Sequence, residues 1–288
     1  MATACAIPAS TRSPAAVERQ RGGQPEFMSS FVHNGFEIAF IDRQPAHGGH
    51  ETSAAEPVLL IHGFASTHHV NWVAPGWVKV LAEAGYRVIA LDNRGHGRST
   101  KSYDPADYTP RLMAGDAAAL LDHLGISRAH VFGYSMGARI SAFLALEHRE
   151  KVATLVLGGL GYGMVDGVGD WDPIAAALVA PDAADVEHPR GRMFRAFADQ
   201  TGSDRRALAA CIETSRAPLA EADVAGIVAP TLVGVGTKDD IAGSAQRLAA
   251  LIPGAEAFDI VGRDHMLAVG DRSWKARVLE FLKDHPIT

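Results

Sequence analysis

Short, uninterrupted apolar runs recur along this chain, and segments with helical periodicity separate them. The clearest runs are Val58–Ile61, Arg87–Leu91, Ala129–Phe132, Val152–Leu157 and Thr231–Val235. A strand that is apolar on both faces has to be buried on both faces, as it is in a parallel sheet covered by helices. The alternation therefore predicts an α/β fold with a mostly parallel central sheet and helices on both faces.

Further elements extend this pattern at both ends. Two short alternating runs flank Asn34-Gly35, a dipeptide that is typical of hairpin turns. The run at Ala257–Val261 is taken as the last buried strand. The predicted hairpin strands are Phe31–His33 and Phe36–Phe40, and the predicted helices are Trp77–Ala84, Pro110–Leu124, Ala138–His148, Ser244–Leu251 and Ser273–Lys283.

The alternation stops between Gly159 and Ala229, where helical patterns continue without a clear buried strand. We interpret residues 160–229 as a helical cap inserted over one end of the sheet, and residues 27–159 and 230–288 as the α/β core. Residues 1–26 are rich in Ala, Ser, Pro and Arg and lack the apolar core of a signal peptide. They are expected to form a disordered tail, with a transit peptide as the alternative.

Composition limits the classes of partner. The chain has 288 residues, 47% of them hydrophobic, a net charge of −6 and two cysteines. This favours a single sizeable core, no nucleic-acid partner and a reducing, cytoplasmic compartment. No apolar stretch reaches the length of a membrane span, and the sequence leaves the oligomeric state open. Five arginines of the insertion are interpreted as a solvated helical face, or alternatively as a site for an anionic substrate: Arg190, Arg192, Arg195, Arg205 and Arg206.

No cofactor is predicted. The neighbours His68 and His69 lack other residues at metal-ligand spacing, so no metal site is expected. The run that begins at Gly158 does not complete G-x-G-x-x-G, because Met164 stands where the third glycine would fall.

The stretch Gly133-Tyr134-Ser135-Met136-Gly137 follows a predicted strand and precedes a predicted helix. G-x-S-x-G in this context predicts a tight turn that presents Ser135 as a nucleophile at the carboxyl edge of the sheet. The two glycines stand where a side chain would collide with the backbone. The following helix begins just behind the serine, where its N–H groups favour a developing negative charge.

A serine hydroxyl needs a base, and the base needs an acid to orient it. His265 lies in the loop after the last predicted strand, which suits the chain order Ser…acid…His. Asp239 follows the strand Thr231–Val235 and is preferred as the acid over its neighbour Asp240, which is interpreted as a helix cap. Asp264 is set aside because side chains adjacent in sequence usually diverge.

The predicted oxyanion hole combines the N–H of Met136 with that of Phe64, in the loop His62-Gly63-Phe64. His62 is expected to brace this loop through hydrogen bonds, and with Gly63 it is placed next to the substrate. Ordinary core or cap packing is the alternative for the remaining candidate pocket-wall residues, which are Tyr162, Met164, Trp171 and Met193.

Taken together, these motifs resemble those of the α/β-hydrolase superfamily, and the resemblance covers the chain from about Phe31 onward. The segment Asp92–Ser99, which reads DNRGHGRS, is similar to a loop that many members carry. The resemblance implies hydrolysis of a small-molecule ester or lactone through an acyl-enzyme. Epoxide hydrolases and haloalkane dehalogenases of this fold use aspartate where Ser135 stands. A C–C bond hydrolase acting on a keto-acid, and a non-catalytic small-molecule receptor, remain as alternatives.

Overall fold

The computed structural model describes residues 28–46, 55–167, 169 and 171–287. The predicted N-terminal tail lies outside these residues. Within the described residues, one sheet of eight strands forms the centre of the fold. Its strands are β1 (Met28–His33), β2 (Phe36–Arg43), β3 (Pro57–Ile61), β4 (Arg87–Leu91), β5 (Ala129–Tyr134), β6 (Val152–Gly158), β7 (Thr231–Gly236) and β8 (Glu256–Ile260).

The sheet order is β1-β2-β4-β3-β5-β6-β7-β8. β1 and β2 form the predicted hairpin, with Asn34 and Gly35 at φ 47° and 81°, as a primed turn requires. β2 pairs antiparallel with β4, and every later pairing is parallel. The predicted α/β class with a mostly parallel sheet is confirmed.

Helices cover both faces of the sheet. The described helices are α1 (Trp77–Glu83), α2 (Pro110–His123), α3 (Met136–Glu147), α4 (Gly163–Asp166), α5 (Asp172–Val179), α6 (Pro189–Thr201), α7 (Arg205–Thr214), α8 (Glu221–Ala225), α9 (Ala245–Ala249), α10 (His265–Ala268) and α11 (Arg272–Asp284). α2 begins as its sequence suggests, because the Thr109 side chain accepts the Leu112 N–H and Pro110 occupies the first turn.

Two apolar cores result from this layering. On one face, α1 and α11 bury Trp77 and Trp274 against the strands. Trp274 fits because β7 has glycine at position 234, where a Cβ would lie 2.3 Å from the indole ring. On the other face, α3 packs against β3, β5 and β6, α2 packs against α3 and β1, and α9 packs against β7 and β8. This core continues into the helices α4–α8.

The helices α4–α8 lie between β6 and β7, in the segment interpreted from sequence as a cap. Over the described part of residues 159–230, no strand interrupts them. α5, α6 and α7 pack on one another and bury side chains such as Ile174, Phe194 and Leu208. None of the described helices is long and apolar enough to cross a membrane.

The predicted burial of the last strand is wrong. β8 is the outer strand of the sheet, and of its five residues only Ile260 is buried. Val261, taken as the end of a buried strand, lies beyond β8 and is 79% exposed. A run such as AFDIV fits an edge strand with one covered face as well as a central strand, so the apolar content alone could not tell them apart.

Candidate active site

Ser135 stands on a strained turn between β5 and α3. Its backbone has φ 55° and ψ −115°, a conformation that costs a non-glycine residue about 1–3 kcal/mol. Its N–H donates to the Gly158 carbonyl oxygen at 2.8 Å, which ties the turn to β6. The side chain therefore stands at the carboxyl edge of the sheet, clear of both elements.

The two flanking glycines permit this turn. A Cβ at Gly133 would lie 2.1 Å from the Gly137 carbonyl oxygen, and a Cβ at Gly137 would lie 1.9 Å from the Ile61 carbonyl oxygen. Real Cβ atoms do not approach oxygen so closely. The start of α3 therefore packs directly on the backbone of β5 and β3, as the sequence pattern suggests.

The structure brings the three predicted catalytic side chains into one hydrogen-bonded chain. His265 Nε2 is 3.0 Å from Ser135 Oγ, and His265 Nδ1 is 2.8 Å from Asp239 Oδ2. Asp240, the alternative acid, points away: its side chain is 84% exposed and 4.0 Å from Arg190. Their catalytic roles remain a prediction.

Further contacts hold Asp239 and His265 in place. Asp239 Oδ1 accepts the N–H groups of Ile241 and Ala242, which leaves Oδ2 for the imidazole. Tyr134, buried beneath the site, donates its hydroxyl to the His265 carbonyl oxygen at 2.6 Å. Burial and the nearby Asp239 carboxylate raise the Tyr134 pKa well above its usual range, so this donor stays protonated.

The loop after β3 passes beside the serine. A Cβ at Gly63 would come within 3.3 Å of Ser135 Cβ, and the Phe64 N–H has no protein acceptor within the described residues. The first N–H groups of a helix, here those of Met136 onward, also lack an intrahelical partner. Two unused donors thus lie near the serine, and their role as an oxyanion hole remains a prediction.

Asn71 holds this loop and was missed by the sequence analysis. Its Oδ1 accepts the Gly63 N–H at 2.7 Å, and the residue also lines the cavity next to Ser135. It lies on a single π-helical turn, His69–Val73. Such turns are frequent at functional sites, but only tertiary structure shows that this asparagine reaches Gly63.

Two buried histidines brace the loop from below. The fully buried His62 contacts the Gly63 carbonyl oxygen through Nδ1 at 2.8 Å, and its Nε2 accepts the Asn93 N–H at 2.9 Å. His96 Nε2 accepts the Ala65 N–H at 3.2 Å. Desolvation by burial is the main cause that lowers the His62 pKa to about 4 and the His96 pKa to about 3. Both rings are therefore neutral at pH 7.

A cavity of about 180 Å³ opens above Ser135. Most of its wall is apolar. Among the described residues that line it, only His265 and the buried Tyr134 have titratable side chains. The lining residues are Gly63, Phe64, Ser66, Val70, Asn71, Tyr134, Ser135, Trp171, Phe194, Phe197, His265, Met266 and Val269. Phe194 and Phe197 come from α6. The sequence does not indicate whether the apolar residues of this helix face a cavity or the core.

Four predicted pocket-wall residues lie elsewhere. His62 is enclosed under the loop, where backbone groups use both ring nitrogens. Tyr162 directs its hydroxyl to Glu221 and stacks under Arg247. Met164 is fully buried in the core, and Met193 is 39% exposed on α6 and absent from the cavity wall. Gly63, Phe64 and Trp171 do line the cavity.

His68 and His69 are the neighbouring histidines for which no metal site is expected from the sequence. His68 Nδ1 is 2.8 Å from Asp92 Oδ1, and His69 is exposed. Over the described ranges, no three His, Cys, Asp or Glu side chains converge as metal ligands would.

Comparison with known proteins identifies the fold. A family model described as alpha/beta hydrolase fold matches residues 56–197. A hydrolase from Pseudomonas aeruginosa superposes with a TM-score of 0.73 at 26% identity, over 88% of this chain and 97% of that one.

Two curated relatives match over shorter stretches. The dihydrolipoyllysine-residue acetyltransferase component of the acetoin cleaving system of Cupriavidus necator is 36% identical over 129 residues, 44% of this chain and 33% of that protein. The 2-hydroxy-6-oxononadienedioate/2-hydroxy-6-oxononatrienedioate hydrolase of Burkholderia vietnamiensis is 38% identical over 117 residues, 38% of this chain and 37% of that protein. The chain thus spans about a third of the length of these relatives.

Proposed function

The chain belongs to the α/β-hydrolase superfamily, and we propose that it is a serine hydrolase that cleaves a small-molecule ester or lactone through an acyl-enzyme. One observation carries the proposal. The hydrogen-bonded chain from Ser135 Oγ through the His265 ring to Asp239, at 3.0 Å and 2.8 Å, ends at the wall of a cavity.

The first half of the reaction acylates the serine. Ser135 Oγ attacks the carbonyl carbon as its proton moves to His265 Nε2, and Asp239 stabilises the resulting imidazolium. The oxyanion accepts hydrogen bonds from the N–H groups of Phe64 and Met136. When the tetrahedral intermediate collapses, the bond to the leaving oxygen breaks and that oxygen takes the proton from His265.

The second half releases the acid. Water gives a proton to His265 Nε2 as its oxygen attacks the acyl carbon, and the same two N–H groups hold the second oxyanion. The bond from the carbon to Ser135 Oγ then breaks and the serine regains its proton. Every proton transfer in this scheme passes through one imidazole nitrogen, so no metal or organic cofactor is required.

The cavity supports a substrate of modest size with an apolar portion. Its volume of about 180 Å³ and its aromatic wall of Phe64, Trp171, Phe194 and Phe197 favour an apolar group over a heavily charged one. Asn71 and Ser66 are the polar groups in this wall that can orient such a substrate through a hydrogen bond.

A fluorophosphonate probe and a substrate panel test the proposal. We expect the probe to label the native chain and not Ser135→Ala, and we expect turnover of short esters or lactones to fall by at least a thousandfold in that variant. Folded native protein that the probe leaves unlabelled, and that turns over nothing in the panel, would favour a small-molecule receptor.

Hydrolysis of a C–C bond next to a ketone is the second candidate, with the same triad. It is supported by the similarity to the Burkholderia vietnamiensis hydrolase, whose name specifies an oxo-dienedioate. The discriminating experiment compares a ring-fission dienoate with short p-nitrophenyl esters. Fast turnover of the dienoate together with neglect of the esters would replace the ester assignment by this one.

A further inference from the structure

A second, smaller compartment opens beside Ser135. It shares Phe64, Ser135 and Trp171 with the main cavity and has a volume of about 30 Å³. That volume exceeds the space that one water molecule needs, and it fits a small polar group rather than a chain. In contrast to the main cavity, two arginines, Arg139 and Arg216, line it.

Arg139 lies on α3, four residues after the serine. Both residues line the smaller compartment. The residue is 3% exposed, and its guanidinium donates to the carbonyl oxygens of Gly163, Met164 and Ala217 at 2.9–3.0 Å. These contacts use three of its five N–H donors, and all three acceptors are uncharged.

Arg139 therefore brings a buried positive charge to the compartment without a matching carboxylate, and no acidic side chain is among the described residues that line it. Burial and the neighbouring Arg216 guanidinium lower the Arg139 pKa to about 10, so Arg139 remains charged at pH 7. Arg216 is half-buried; it donates to the Ile212 carbonyl oxygen at 2.7 Å and is ion-paired with the exposed Asp172, whose Oδ1 is 3.9 Å away.

Ser215 adds a polar atom at the same place. The residue is 1% exposed and lines the compartment, and the Cys211 thiol, whose pKa it lowers, is the one partner of its hydroxyl among the described residues. Sulfur is a weak hydrogen-bond partner. A ligand oxygen in the compartment would give this buried hydroxyl a stronger acceptor.

We propose that this compartment binds a carboxylate of the substrate, through Arg139, Arg216 and Ser215. An anion there would neutralise the buried Arg139 guanidinium and lie beside that of Arg216, and arginine is well suited to carboxylates because of its planar fork of donors. The inference rests on the proposed function and refines it: the preferred esters or lactones carry a free carboxylate a few bonds from the scissile carbonyl, with an apolar group in the main cavity.

Matched substrates provide the test. Monoethyl esters of malonate, succinate, glutarate and adipate are compared with neutral esters in which an isopropyl group replaces the carboxylate, such as ethyl 5-methylhexanoate for monoethyl glutarate. Hydrolysis is followed as ethanol release. We expect one chain length to exceed its neutral counterpart in kcat/KM by about tenfold to a hundredfold, the range for hydrogen bonds to a charged group.

Ser215→Ala and Arg216→Gln are the leading variants. Because the Ser215 hydroxyl has only the weak Cys211 thiol as a partner among the described residues, Ser215→Ala should fold normally and lose several-fold of the preference. Arg216→Gln should remove most of it, measured as the ratio of kcat/KM between the acidic and the neutral ester, because the carboxylate loses a charge-assisted contact that the neutral ester never makes. Arg206→Gln, on an exposed side chain of α7, changes the net charge equally and should leave the preference intact.

Arg139→Gln is the more drastic change because it also removes contacts to three carbonyl groups. Its thermal unfolding is measured alongside its kinetics, and the other two variants carry the test if it does not fold. Turnover of a ring-fission dienoate that is lost in Arg216→Gln would support the carboxylate site and revise the type of bond cleaved.

Two results would overturn the inference and leave the serine-hydrolase proposal standing. The first is equal kcat/KM for acidic and neutral esters throughout the series. The second is a preference that survives in both Ser215→Ala and Arg216→Gln. Failure to turn over any ester, lactone or dienoate, acidic or neutral, would instead reject the proposed function itself.

Discussion

Acidification should destabilise the fold through the two histidines that brace the loop beside Ser135. His62 and His96 each accept a backbone N–H through Nε2, from Asn93 and Ala65 respectively. An imidazolium has no acceptor nitrogen, so protonation would break these hydrogen bonds and bury a charge. This is the physical reason that burial lowers the two pKa values to about 4 and about 3.

The sign and size of the effect follow from these values. In the unfolded chain both imidazoles titrate near about 6.5, so below that pH the unfolded state binds more protons than the folded state. Stability is therefore full above pH 6.5 and falls as the pH drops toward the folded-state values. Between pH 7 and pH 5 each histidine costs about 2 kcal/mol, or about 4 kcal/mol for both. That is a large part of the roughly 5–15 kcal/mol that a domain has.

Urea unfolding at pH 7, 6 and 5 measures this difference, in the native chain and in His96→Gln. The glutamine oxygen can accept the Ala65 N–H but does not titrate, so the variant should lose about 2 kcal/mol, roughly half, of the difference between pH 7 and pH 5. The exposed His69→Gln serves as the matched control and should keep the native difference. An unchanged difference in His96→Gln would show that the buried imidazole does not couple folding to protons, and the reasoning would be wrong.

Two substitutions test the frame around the serine. Gly137→Ala places a Cβ 1.9 Å from the Ile61 carbonyl oxygen and should destabilise the chain by about 3 kcal/mol. Gly115→Ala meets only an ordinary contact inside α2 and should stabilise slightly, so equal urea midpoints for the two would contradict this packing. Asn71→Ala frees the Gly63 N–H and should lower kcat for a short ester by about tenfold to a hundredfold with little change in KM. An unchanged kcat would show that the loop holds its position without Asn71.

The sequence predicts those features that adjacent residues determine. An apolar run must be buried whatever surrounds it, and a serine between two spaced glycines after a strand needs no distant partner to define its turn. The histidine and the aspartate could be located because both follow strands of one parallel sheet, whose carboxyl ends share an edge. The structure brings His265 and Asp239 together at that edge, over 26 residues of chain.

Features that depend on packing between distant segments could not be predicted. Phe194 and Met193 are neighbours on α6, yet only Phe194 reaches the cavity, because the position of the helix over the sheet decides which face is covered. Arg139 looks like any helical arginine until the turn at Gly163 and the segment at Ala217 bring their carbonyl groups to it. The run that contains β8 fits both a central and an edge strand, and only the sheet order places it at an edge.

The contacts of Arg139 have a mechanical consequence. One guanidinium on α3 fastens Gly163 and Met164, near the start of the segment between β6 and β7, and Ala217, near its end. Both ends of that segment are thereby anchored to α3, the helix that follows Ser135. Displacement of the middle helices, α5 to α7, would leave these contacts in place, whereas a rigid swing of the whole segment would have to pull this arginine from its three acceptors.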